Sequence, residues 1–156
     1  MTRIFNYPQT TIEMFPGDII YSSLGLSTYF AGHTVIIGTD YIAYEVIPGN
    51  PGWHKLSLQQ HRNRHRSGDK LTILRSPNGA EKAAQWIIEN IGKFKTYHLA
   101  NYDIQNLAKS YCYKFVAQAF YHGADISIVK NPKRLLLPND IKKSPQLEKI
   151  ALINIH

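Results

Sequence analysis

The sequence predicts an α+β fold, a small antiparallel sheet packed against helices. Three observations predict it. Short β-rich runs fill the first half of the chain. Two of them flank a glycine-containing turn, as a hairpin does. Two segments with apolar residues at helical spacing follow.

Taken in order, Gly17-Asp18 precedes the strand-like run Ile19-Ile20-Tyr21-Ser22. The next strand is His33-Thr34-Val35-Ile36-Ile37, and its hairpin partner covers residues 41–47 after Gly38-Thr39-Asp40. Pro48-Gly49-Asn50-Pro51-Gly52 ends that strand, because such a composition breaks β structure. Lys70-Leu71-Thr72-Ile73-Leu74-Arg75 alternates and reads as a further strand. Ser76-Pro77-Asn78 resembles a helix start. Ala80, Ala83, Ala84, Ile87, Ile88 and Ile91 then trace one apolar face up to Gly92. A second helix is predicted to begin near Ser110, whose side chain would cap it, and to stop at Gly123. Cys112, Phe115, Val116, Ala119 and Phe120 share one of its faces. Residues 135–144 read as an extended run followed by a short turn or helix.

The chain has 156 residues, which fits a single domain spanning 1–156, and 44% of them are apolar, enough for a core. No apolar run approaches the roughly 18–20 residues that cross a bilayer. The opening Met1-Thr2-Arg3-Ile4-Phe5-Asn6 has neither an apolar stretch nor a small-residue cleavage site, so a cytoplasmic location is expected, non-classical export aside. A lone cysteine makes no internal disulfide, in keeping with a reducing compartment or a reactive thiol. The formal charge of +7 gives affinity for polyanions at low salt. Its one cluster, residues 61–66, reads as a solvated face, a loop or a short helix, peripheral to any chemistry. No zinc-finger spacing or RNP-like motif is present, so no specific nucleic-acid partner is expected. His61 and His65 are four apart, but no third ligand accompanies them, and neither a metal nor another cofactor is expected.

Cys112 is the candidate nucleophile. At the first turn of a helix, the unsatisfied amides and the dipole favour thiolate. The competing reading is a small buried hydrophobe, a common fate of free cysteine. His33 is the candidate base. If the hairpin loop is Gly38-Thr39-Asp40, Ile37 opposes Tyr41 and His33 opposes Glu45. Opposed Cβ atoms lie roughly 4.5–5.5 Å apart. A carboxylate there would fix the imidazole tautomer and stabilise the imidazolium. A two-residue loop would offset the pair. The competing readings are a core histidine bonded to backbone and a glutamate on a solvated strand face. The backbone N–H of Cys112 is a natural oxyanion donor. Asp18 reads as a turn holder.

Gly17-Asp18-Ile19-Ile20, Gly32-His33-Thr34-Val35-Ile36-Ile37, Tyr44-Glu45-Val46, Tyr111-Cys112 opening a helix, and Leu137-Pro138-Asn139-Asp140-Ile141 with Ser144 together resemble the YiiX/YebB-like group. That group belongs to the NlpC-type cysteine peptidase superfamily, whose circularly permuted papain-like members carry the histidine strand before the cysteine helix, as here. The resemblance spans Gly17 to Ser144. It implies a papain-like fold with Cys112 as nucleophile, His33 as base and Glu45 as the orienting residue. It also implies that a tyrosine upstream of the cysteine, here Tyr102, lines the substrate site. The chain departs from the pattern after the cysteine, where a small residue and then an acid are common and Tyr113-Lys114 stand. The function expected is cleavage of a peptide-like or cell-wall-derived amide through an acyl-thioester on Cys112. The permuted branch also resembles lecithin retinol acyltransferase, so acyl transfer or thioester cleavage on a lipid-like substrate is the alternative. A non-catalytic basic binding module is the alternative outside enzymes. The expected partner is a small-molecule, peptide-like or acyl substrate.

Overall fold

A computed structural model describes residues 3–23 and 32–156. In chain order the elements are β1 (Ile19–Ser22), β2 (His33–Ile37), β3 (Ala43–Val46), β4 (Trp53–Leu56), α1 (Leu58–Asn63), β5 (Lys70–Arg75), α2 (Ala80–Asn90), a 3-10 turn (Ile91–Lys93), β6 (Thr96–Tyr97), β7 (Lys109–Ser110), α3 (Cys112–Ala124), α4 (Pro138–Lys142) and β8 (Glu148–Asn154). Six strands form one sheet in the order β4-β3-β2-β1-β5-β8, every neighbouring pair antiparallel. The parallel pair β6–β7 stands apart from it.

Alternation along the strands gives the sheet two apolar faces, because successive side chains point to opposite sides. Ile19, Tyr21, Ile36, Tyr44 and Leu74 pack against α2, α3 and Ile141 of α4. Ile20, Val35, Ile37, Leu71 and Ile73 pack against Tyr7, Met14 and Leu58 of α1. Asp18 is buried and structural. Its carboxylate accepts from Tyr7 Oη at 2.7 Å, Phe15 N–H at 3.0 Å and Arg75 Nε at 2.7 Å.

Four sequence expectations need correction, three of them at turns and helix ends. The hairpin loop spans residues 38–42 rather than three residues, since Ile37 pairs with Ala43 and Ile36 with Tyr44. Gly38 N–H donates to Ile42 O, Tyr41 N–H donates to Gly38 O, and Tyr41 takes φ +59° to close the turn. Extending that register puts Val35 opposite Glu45. His33 and Glu45 become diagonal neighbours, but a shift of two residues leaves them on the same face. Ser110 does not cap α3: its hydroxyl donates to Gln118 Oε1 at 2.7 Å, and the N-cap residue is Tyr111, without a side-chain cap. Gly123 lies inside α3, which ends at Asp125 in the left-handed region. The glycine serves packing, because a Cβ there would sit 2.7 Å from Trp86 Cβ and 3.0 Å from Lys82 O of α2.

Residues 61–66 are only in part a solvated face, with Asn63 and Arg66 exposed. Ser57 and Gln60 form a reciprocal capping box that starts α1. His61 and Arg62 are buried, and Arg64 turns inward. The short helix offered by the sequence for this cluster is present, and the S-x-x-Q spacing of Ser57 and Gln60 marks its start. β4, β6, β7 and β8 carry only weak strand signals in the sequence. β8 is an edge strand with a single wholly buried side chain, Ile153, and offers little alternation.

Candidate active site

β2 begins at His33, and α3 begins at Cys112. Thr34 Oγ1 donates to Cys112 O at 2.9 Å and docks the helix start against β2. The first backbone bond of α3 runs from Phe115 N–H to Tyr111 O at 2.8 Å, so the Cys112 and Tyr113 amides lie in the turn whose N–H groups have no partner within the helix. Tyr111 Oη accepts from Leu136 N–H at 2.8 Å and holds the segment leading into α4 against that turn.

His33 is 1% exposed, and Cys112 and Glu45 are fully buried. His33 Nε2 lies 2.7 Å from Glu45 Oε1. The ring is also hydrogen-bonded to Cys112, for which Nδ1 remains. Cys112 belongs to the α2/α3 face, while Glu45 shares the face covered by α1. His33, first in its strand, is bonded to a partner from each.

The electrostatics follow from those contacts. Burial pushes the His33 ring down, but hydrogen bonds to Cys112 and Glu45, with their charges, outweigh it and raise it to about 9. Burial pushes the Glu45 carboxyl up, and the hydrogen bond and charge of His33, followed by Arg64, bring it below its ordinary value. Arg64 is the residue the sequence reading missed. Its Nη1 donates to Glu45 Oε1 at 2.8 Å and lies 2.7 Å from Oε2. That second approach is an ion-pair contact without hydrogen-bond alignment, and Oε2 has no aligned donor among the described residues. No local signal marks Arg64, since its partner is 19 residues away on another element.

Tyr21, Tyr111 and Tyr113 surround the thiol in one buried cluster. Burial first, then the charge of Cys112, raises Tyr21 and Tyr113. Tyr113 Oη is buried with no hydrogen-bond partner among the described residues. Tyr102 is 43% exposed on the turn between β6 and β7, and no hydrogen bond joins it to Cys112, His33 or Glu45. Lys114, the other departure from the family pattern, is buried. Its ammonium donates to Asn101 Oδ1 at 2.9 Å, Asn106 O at 3.1 Å and Lys109 O at 2.7 Å. With Gln118 and His122, each one turn further along α3 and bonded to Ile104 O, it straps residues 101–109 to the helix. His61 and His65 rings lie 4.9 Å apart, and among the described residues no third donor converges on them as a zinc site requires.

The family model for lipoprotein N-acylation protein LnsA-like proteins matches residues 3–141. The crystal structure of the metalloprotein YiiX from Escherichia coli O157:H7 superposes with a TM-score of 0.58 at 14% identity, covering 87% of this chain and 96% of that one. The two share the α+β, permuted papain-like fold. No curated protein matches the chain. No helix among the described residues is long and apolar enough to cross a membrane.

Proposed function

We propose, from the premise that this chain belongs to the LnsA-like family, that it is a cysteine acyltransferase forming an acyl-thioester on Cys112 and passing the acyl group to an amine. The observation that carries the reading is His33, buried and bonded on one side to Cys112 and on the other to Glu45. An imidazole held that way takes the thiol proton, and the sulfur attacks the carbonyl carbon of an ester donor. Negative charge moves onto the carbonyl oxygen, where the Cys112 N–H is the nearest natural donor. Collapse breaks the ester C–O bond, and the leaving alkoxide takes the proton back from His33. The amine then attacks the thioester and His33 accepts its proton. The C–S bond breaks, leaving an amide product and a free thiol. Water in place of the amine gives hydrolysis. Glu45 remains a carboxylate throughout and orients the ring.

The surroundings of Cys112 favour an acyl group over a peptide, because Tyr21, Tyr111, Tyr113, Phe115 and Val116 make them largely apolar. The family description points the same way. Intact mass spectrometry after incubation with a long-chain acyl ester tests this. The expected result is one acyl group on Cys112, released by hydroxylamine and transferred to an added amine. Cleavage of a peptide amide with no acyl transfer would replace this reading with an amidase. Undiminished activity in Cys112→Ala would end both.

A further inference from the structure

Beside the sheet edge lies a groove of about 380 Å³ between α4 and strands β1, β5 and β8. Lys70, Lys142, Lys143 and Lys149 line it together with Tyr21, Leu74 and Leu152, and none of its lining residues is acidic. The four lysines are exposed, and among the described residues none is in an ion pair. Asp140, the nearest acid in α4, is already bound by Arg134 at 2.6 Å and accepts from Leu137 N–H at 2.7 Å. The groove therefore has cationic walls over apolar side chains. Tyr21 belongs both to it and to the cluster around Cys112. Lys142 Nζ sits 4.8 Å from the centre of the Tyr21 ring.

We infer that this groove binds the phosphate-bearing headgroup of an anionic phospholipid, with Tyr21 forming the wall between the headgroup and the thiol that takes its acyl chain. The inference rests on the acyl-transfer reading and names the donor class for it. Four unpaired ammonium groups over a leucine-and-tyrosine floor match a ligand that is anionic at one end and apolar at the other. A nucleic-acid strand would need rings on which to stack, and the one ring among the described lining residues, Tyr21, is already covered by Lys142. Leu152 and Ile150, 42% and 37% exposed on β8, extend the apolar character to the rim, where a bilayer surface would lie.

The test uses Cys112→Ser protein, so that binding is read without turnover, and vesicle flotation at physiological salt. Vesicles of phosphatidylglycerol mixed with phosphatidylcholine are expected to bind, and pure phosphatidylcholine is not. Changing Lys70, Lys142, Lys143 and Lys149 to Gln should weaken binding about tenfold or more. Changing Lys82, Lys93, Lys95 and Lys109 to Gln removes the same charge elsewhere and should change it by less than about twofold. In protein with Cys112 intact, the groove variant should lose acyl-enzyme formation from phosphatidylglycerol while keeping it from a short uncharged ester. Equal losses in the two quadruple variants would show that net charge alone attracts the surface, and the groove would be dismissed. Displacement of the vesicles by millimolar glycerol phosphate would assign the site to a soluble phosphate ester, and displacement by RNA would assign it to nucleic acid. Either would overturn the lipid. Groove-dependent binding with no acyl adduct on Cys112 would leave the headgroup site standing and remove the acyl-transfer reading instead.

Discussion

Arg64 Nη1 bridges the two carboxylate oxygens of Glu45, at 2.8 Å from Oε1 and 2.7 Å from Oε2. The proposed triad of Cys112, His33 and Glu45 thus has a further residue, Arg64, behind it. Glu45 is fully buried and would be costly as a lone anion, while Arg64 is 28% exposed and brings a compensating charge from α1. The basic cluster therefore reaches the proposed site through Arg64.

Arg64 is accordingly expected to be a positioning residue. Arg64→Gln should lower the rate of Cys112 acylation about tenfold or more with little change in KM, and should move the acid limb of the pH–rate profile upward. Stability should fall by about 1–3 kcal/mol, since Glu45 keeps His33 but loses one partner. Arg64→Lys should recover part of the rate. Arg66→Gln, on an exposed side chain, serves as the control and should leave both unchanged. A purely structural role would show as lost stability with an unmoved pH profile.

The His33–Glu45 pair makes stability depend on pH in a defined window. His33 is raised from 6.5 to about 9, so its contribution is full below pH 6.5 and is lost as pH rises through about 9. Glu45 is lowered from 4.5, so its contribution is present above pH 4.5 and is lost as pH falls through its folded value. Urea unfolding of wild type and Glu45→Gln should therefore differ most between pH 4.5 and 6.5. The gap should narrow above that, by at most about 1.4 kcal/mol per pH unit. His61 is the reason for the comparison with a variant. Burial, then the charges of His65 and His33, hold it down at about 3. It stabilises above pH 6.5 and loses that contribution towards pH 3, with the opposite sign to His33. Both proteins carry it, so its burial contribution cancels, and only the smaller effect of the Glu45 charge on it enters the difference. A gap that stays constant from pH 5.5 to 9.5 would contradict the pairing.

Lys114 should prove structural. Burial holds its ammonium down to about 8, and its three N–H bonds go to Asn101 Oδ1, Asn106 O and Lys109 O. Lys114→Met removes all three donors; Asn106 O keeps Gln118 Nε2 at 3.0 Å, while Lys109 O loses the Lys114 ammonium. We expect a loss of about 2–4 kcal/mol. Hydrogen exchange should speed up at residues 101–109 before it does in β2. Uniform loosening of the whole chain would mean that the strap is not local.

Tyr113→Phe tests the orphaned hydroxyl beside the thiol. A buried O–H without a partner costs about 1–3 kcal/mol relative to a satisfied one, so removing it should leave thermal stability unchanged or raised. A drop in melting temperature would show that the hydroxyl has a partner in the folded protein. A slower acylation rate at unchanged stability would assign the hydroxyl to the developing oxyanion.

Much of this protein is legible in local sequence. The strand that holds His33, the strand Lys70–Arg75, the apolar stripe of α2 and the helix that carries Cys112 each follow from period and composition, because a segment's own side chains decide which face it buries. That is also why Cys112, His33 and Glu45 could be singled out together. Their order along the chain and the strand period carry them to one place even though the hairpin loop is two residues longer than its glycine suggests. Period 2 forgives a slip of two. Only tertiary structure decided the rest. The charge run at residues 61–66 reads as surface until Glu45, on another element, supplies the partner that draws Arg64 inward. Lys114 looks like a departure beside Cys112 until three acceptors from the loop that precedes α3 close around it. Tyr102, a candidate by its place upstream of the cysteine, sits on that strapped turn with its side chain 43% exposed. The lysines of the groove come from β5, α4 and β8, and no window of sequence contains them all. A charged side chain's fate depends on what opposes it, and what opposes it is set by the packing of elements far apart in the chain.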